Sequence, residues 1–226
     1  MVACDITISA WSMLASMRGE DTTSAALLGE PLPVELMNTV VVDRDGIHDT
    51  LKDDGGAAAW LRAVADRISD EAGADVDLPA VETLRPDAEK LCELRDALRL
   101  LAAEATGDPR PPVTAPELTR PEAIATVNAL ATTWPELVWP TGGHPSRAYR
   151  AHGTATTLAV ELIAHRGVEL LTGPGRERLR PCLAPNCLRF FVKDHARREW
   201  CSPGCGNRAR VARHYQRHHT SDPAGN

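Results

Sequence analysis

The sequence predicts a mainly α chain: a helical N-terminal domain with minor β elements, followed by a small cysteine-rich module built from a β-hairpin and a helix. Three observations carry this. Aromatic residues make up only 4% of 226 residues while 43% are apolar, so the core must come from Ala, Leu and Val, and Ala and Leu favour helices. Apolar residues recur at helical spacing in four long stretches. Four of the six cysteines fall within the last 45 residues, as two close pairs.

The elements follow in order. Residues 1–29 form a leader in which Asp21-Thr22-Thr23-Ser24 and Gly29 favour turns. Residues 34–42 (VELMNTVVV) read as a short helix running into a strand. A helix over Ala57–Ala72 carries Trp60, Leu61, Val64 and Ile68 on one side, and Gly73 suits its C-terminal end. Leu91, Leu94, Leu98 and Leu101 mark a second over Pro86–Ala105. Pro121 opens a third that runs to Trp134, with Thr119 as its cap. The fourth spans Thr154–Leu171. Between the second and third lies a Pro-rich loop, 108–116, that cannot be helical throughout. Leu137–Pro140 reads as a short strand before the turn at Gly142-Gly143. Gly173-Pro174-Gly175 marks a boundary between a body, 30–172, and a tail module, 176–219, with 220–226 trailing.

Charge switches at the same place. The net charge of −6 divides into −13 over residues 1–175 and +7 over 176–226. An acidic body repels polyanions and a basic tail attracts them. No apolar run approaches the ~20 residues of a membrane span, and the first 17 residues lack the pattern of a signal peptide. The expectation is a cytoplasmic protein without membrane contact, whose cysteines stay reduced.

Cys182 and Cys187, then Cys201 and Cys205, are spaced C-x4-C, thirteen residues, C-x3-C. Two close pairs on tight turns can supply the tetrahedron of thiolates, about 2.3 Å from the metal, that structural zinc requires. Four sulfurs close the coordination shell, which argues for one structural rather than catalytic zinc per chain. Two disulfides, or a metal-free redox switch, are the weaker readings in a reducing compartment. Arg189–Lys193 reads as a strand, His195–Arg198 as its turn and Glu199-Trp200 as its return. The order knuckle, hairpin, knuckle, helix is that of a treble-clef-like finger, with Cys205 in the first turn of a helix over Gly204–His218. There the helix dipole favours a thiolate.

That helix is basic. Arg210, Arg213 and Arg217 fall within about 60° on a helical projection and form one stripe suited to phosphates or guanine edges. Val211 and Tyr215 fall opposite and are expected to pack on the knuckles. Arg208 either bonds backbone carbonyls of the knuckle or reads DNA. Asn207 either caps the helix or contacts DNA. Lys193, Arg197 and Arg198 add charge nearby. Without a partner, the stripe would be a solvated face that suits a helix C-terminus.

The string Cys205-Gly206-Asn207-Arg208, at the end of this cysteine pattern, resembles the CGNR zinc-finger family of bacteria. Upstream, Leu36-Met37-Asn38-Thr39-Val40 and Ala59-Trp60-Leu61 resemble the "VNT" and "WL" elements of the ABATE domain, with Met37 where Val is more usual. Together the resemblances span about residues 30–219. They imply a stress-induced transcriptional regulator with a helical domain that senses a ligand. The sequence reading is therefore a DNA-binding regulator whose body senses a small-molecule effector or forms a homodimer. A zinc module that binds RNA or a protein is the alternative, as is an enzyme body with a targeting tail. The body carries no phosphate loop, no HExxH string and no Cys–His pairing, so no catalytic residue is assigned. Asn38, Trp139, His144 and Tyr149 are candidates to line an effector pocket. Cys4 and Cys92 receive no role.

Overall fold

A computed structural model describes residues 27–42, 45–76 and 85–219; residues 1–26 of the leader, with Cys4, and the trailing 220–226 lie outside them. Six helices are described: α1 Leu32–Met37, α2 Asp54–Ala72, α3 Arg85–Thr106, α4 Arg120–Leu130, α5 Ala155–Thr172 and α6 Pro203–His219. The strands β1 Val40–Val42 and β2 Ile47–Asp49, β3 Trp134–Val138 and β4 Ser146–Arg150, and β5 Leu179–Pro181 and β6 Phe190–Val192 form three separate two-stranded antiparallel ribbons. None of the described helices is long and apolar enough to cross a membrane.

Local chemistry fixes the ends of the helices. Asp53 accepts from the Gly56 amide at 2.8 Å to start α2. Gly73 ends it in the left-handed region, φ 64°, where a side chain is strained. A Cβ there would also lie 2.6 Å from the Arg147 carbonyl of β4, so two constraints demand glycine. Thr119 precedes α4, its amide and hydroxyl both donating to Glu122. Thr154 accepts from the Thr157 amide at the start of α5.

The long helix α3 is central and touches α1, α2, α4, α5 and β5. Leu91, Leu94 and Leu98 on α3, Leu61 and Ile68 on α2, and Leu162 and Ile163 on α5 are almost fully buried. Each contributes about 1.5–3 kcal/mol by leaving water. The same apolar cluster continues into the tail through Leu179, Phe190 and Val192. A second, smaller cluster holds the four tail cysteines with Ala184 and Phe191.

Three sequence expectations are corrected. The third helix stops at Leu130, and Trp134 opens β3 instead; Thr132-Thr133-Trp134-Pro135 ends the helical run, because β-branched residues and the residue before proline favour extended backbone. Second, β6 does not pair with Glu199-Trp200. It pairs with the upstream β5, Leu179 opposite Val192 and Pro181 opposite Phe190, because Leu179 can join the core that Phe190 and Val192 enter. Third, Val211 and Tyr215 are exposed. Beyond Ala209 the side chains of α6 through Arg217 are exposed, apart from half-buried Ala212.

Candidate functional site

The β5–β6 ribbon presents the first cysteine pair in its connecting loop. The Cys182 amide donates to the Arg189 carbonyl at 2.8 Å and the Cys187 amide to the Ala184 carbonyl at 3.1 Å, closing a knuckle. Asn186 sits between them at φ 55°, a left-handed position that Asn tolerates better than most residues. The second pair straddles the start of α6. Ser202 accepts from the Cys205 amide at 3.3 Å and its carbonyl from Gly206. A Cβ on Gly206 would lie 3.1 Å from the Trp200 ring, so glycine lets the helix seat under that indole.

All four Sγ atoms are buried and lie within 4.8 Å of one another. Cys187 to Cys201 is 3.8 Å, Cys205 to Cys187 3.7 Å and Cys201 to Cys205 3.3 Å. A tetrahedral ion with 2.3 Å bonds to sulfur needs edges of about 3.8 Å, so the donor set fits. Electrostatics agree. Hydrogen bonds from Cys187 and Cys201 hold Cys182 down at about 2. The same sharing pushes Cys187 up to about 11 and raises Cys201 further. Cys182 is thus favoured as the anion over Cys187 and Cys201; a dication at their centre would favour the thiolates of these two as well. Outer contacts serve the sulfurs as well: the Cys201 amide points at Cys182 Sγ, 3.5 Å, and Arg208 Nη2 donates to Cys205 Sγ at 3.0 Å.

Among the basic candidates, the structure brings Arg210, Arg213 and Arg217 together. They are exposed and line one groove on α6 with Gln216. Arg210 Nη1 donates to Asn207 Oδ1 at 3.1 Å, so Asn207 orients the first arginine of the stripe. Arg197 is exposed on the loop before the second knuckle, and Lys193 is half-buried. Arg198 is placed differently. Its guanidinium lies over the Phe191 ring at 5.1 Å, pairs with the buried Glu30, and donates to the Val192 and Cys201 carbonyls, each at 3.2 Å. It is bonded inside the module rather than presented outward.

The pocket candidates do not converge. Trp139 and His144 are exposed near the tip of the β3–β4 ribbon. Tyr149 is buried on β4 against His165, between Arg147 and Arg166. Asn38 is buried at the end of α1, where it donates to the Phe190 carbonyl at 3.0 Å and accepts from the Phe190 amide at 2.8 Å. It therefore completes the β6 edge as another strand would.

Asn38 is one of four body residues that clasp the module. Glu30 accepts from the Val192 amide at 2.9 Å. Arg99 donates to the Leu188 carbonyl at 3.2 Å. Arg110, held by Asp108, donates to the Cys182 and Cys187 carbonyls at 3.1 and 2.8 Å. Sequence reasoning missed Glu30, Arg99 and Arg110. A signal existed for Arg99: with Arg95 it edges the apolar stripe of α3, where a long cation needs a specific partner.

A helical body clasped to a four-cysteine finger, whose last sulfur ligand opens a basic helix, defines a zinc-finger protein with a helical accessory domain. The chain belongs to the ABATE family, whose model, described as "Putative stress-induced transcription regulator", matches residues 30–174. Residues 178–218 match the CGNR zinc finger. No curated protein matches the chain at a significant level.

Proposed function

We propose that the protein is a DNA-binding transcriptional regulator, with one structural zinc ion held by Cys182, Cys187, Cys201 and Cys205. The observation that carries this reading is the arginine stripe Arg210, Arg213 and Arg217, exposed together along one groove of α6. Zinc fixes the first turn of α6 against the knuckles, so the stripe is aimed by a rigid base. Arg197, Lys193 and Asn207 extend or orient the cationic surface. Arg208 supports the metal and Arg198 the fold. The body would carry the regulatory signal, because it grips the same knuckle backbone through Arg110 and Arg99. The acidic charge upstream confines attraction for a polyanion to the tail.

A salt titration by fluorescence anisotropy, with the zinc-loaded full chain and duplex DNA, tests this. Replacing Arg210, Arg213 or Arg217 with Ala should weaken binding and flatten log affinity against log salt by about one unit each. An arginine reading guanine would instead lose about 1–3 kcal/mol at one base position. No binding to duplex DNA at low salt would sink the reading. Tighter binding to RNA in competition would move it to the RNA alternative.

A further inference from the structure

A cleft of about 120 Å³ opens between the C-terminal half of α3, the Pro-rich loop and the module. Its walls are Leu100 and Ala103 on α3, Pro111–Pro116 and Leu118 from the loop, and Leu188 and Phe190 from the module. One cation in it stands apart. Asp108 is paired with Arg110, and Asp96 with Arg95, but no carboxylate among the described residues lies within ion-pair distance of Arg99. Arg99 is 9% exposed. Two of its N–H groups bond the Met37 and Leu188 carbonyls, and it lies 5.5 Å from the Phe190 ring centre. Burial, then the neighbouring Arg110 and Arg95, bring it down to about 10. It stays charged at neutral pH, at a cost that an anion would relieve. The wall opposite is unusual too: Ala115 holds φ 41°, a left-handed backbone that glycine takes more readily.

We propose that this cleft is the effector site and takes a small organic acid, its carboxylate on Arg99 and its apolar body against Leu100, Ala103, Leu118 and Phe190. The size suits a single ring, since a cavity of roughly 150 Å³ holds benzene. A planar fork such as Arg99 matches a carboxylate in two places. The link to output is direct. Arg99 touches the carbonyl next to Cys187, and Arg110, on the same wall, holds the carbonyls of Cys182 and Cys187. A bound acid therefore tightens or shifts the grip on the finger.

The consequence for DNA rests on the regulator reading; the binding step does not, and is measured without DNA. Titrate the zinc-loaded full chain calorimetrically with benzoate, and with benzamide as its uncharged counterpart of the same shape. Benzoate should saturate near the millimolar range, and benzamide should bind about tenfold more weakly or worse. Ala103→Phe, one helical turn from Arg99 on the same wall, fills the cleft and should abolish benzoate binding. Arg99→Lys keeps the charge but loses the fork, and should weaken it; this variant decides the matter if the Phe substitution misfolds. Equal binding of benzoate and benzamide, unaltered benzoate binding in Ala103→Phe, or no saturable heat with benzoate would each overturn the proposal. If benzoate binds as expected but the protein has no affinity for DNA, the site stands and the regulator reading falls.

Discussion

Two residues of the first 40 hold a strand 150 positions away. Asn38 uses one amide group to satisfy both the amide and carbonyl of Phe190, and each would otherwise be an unpaired polar group in a dry interface. Leaving one such group unsatisfied costs about 1–3 kcal/mol, so Asn38→Ala should destabilise the chain by roughly 2 kcal/mol or more in urea denaturation. A value near zero would mean that water replaces the amide there. Glu30 offers a different test. Its carboxyl is 2% exposed, and burial pushes it above its ordinary value of 4.5, against the opposing pull of the Val192 amide and Arg198; Glu35 beside it adds to the rise. The folded state therefore takes up a proton as pH falls toward 4.5, and stability falls as pH rises through that window. Glu30→Gln should flatten the slope of stability against pH there. A slope unchanged by the substitution would assign the effect to another group.

At the scale of elements, the helices were legible because apolar spacing, caps and glycine stops all pointed the same way, as at Asp53, Thr154 and Gly73. The cysteine tetrad was legible for a related reason: paired soft ligands on tight turns leave a local mark in sequence. Strand pairing leaves none. Phe190–Val192 can pair in either direction along the chain, and the deciding factor was tertiary, since Leu179 shares the body's core while Glu199 is exposed. Burial leaves no such mark either: Trp139 and Tyr149 are near in sequence, but one is exposed and the other buried. Helix α6 divides along its length. Cys205 and Arg208, which donates to its Sγ, lie at the cysteine cluster, and Gly206 seats the helix under Trp200, while Arg210, Arg213 and Arg217 line the outer groove. Substitutions should divide the same way. Arg208→Ala removes the N–H···S bond to Cys205 and should speed metal loss to a chromogenic chelator, by about 10–100-fold in affinity terms. Arg213→Ala should leave metal retention unchanged. Equal metal loss in both would show that Arg208 does nothing particular for the thiolate.

At the scale of the whole molecule, the sequence divides at Gly173–Gly175 but the core does not. Helix α5 ends at Thr172 and β5 begins at Leu179, so a short link joins the parts, and Leu179, Phe190 and Val192 belong to the body's apolar cluster. Composition and charge mark the boundary because they record surface and chemistry; shared burial is invisible to them. The magnitudes decide how the parts should melt. Undocking would expose three apolar side chains worth about 1.5–3 kcal/mol each, and would break the bonds from Glu30, Asn38, Arg99 and Arg110. That sum is comparable with the roughly 5–15 kcal/mol that holds a whole domain together. A tail that unfolds while the body stays intact, as the sequence boundary suggests, is therefore not expected. Zinc held by the four cysteines would supply folding free energy to so small a finger, so removing it with a strong chelator should lower the melting temperature of the helical signal in circular dichroism. Cys205→Ser should do the same without chelator. The transition should stay single, because the clasp joins the two clusters into one cooperative unit. A helical signal that melts at its original temperature after metal removal, with only the few residues of the finger lost, would show that the body folds without its finger and that the clasp contributes little.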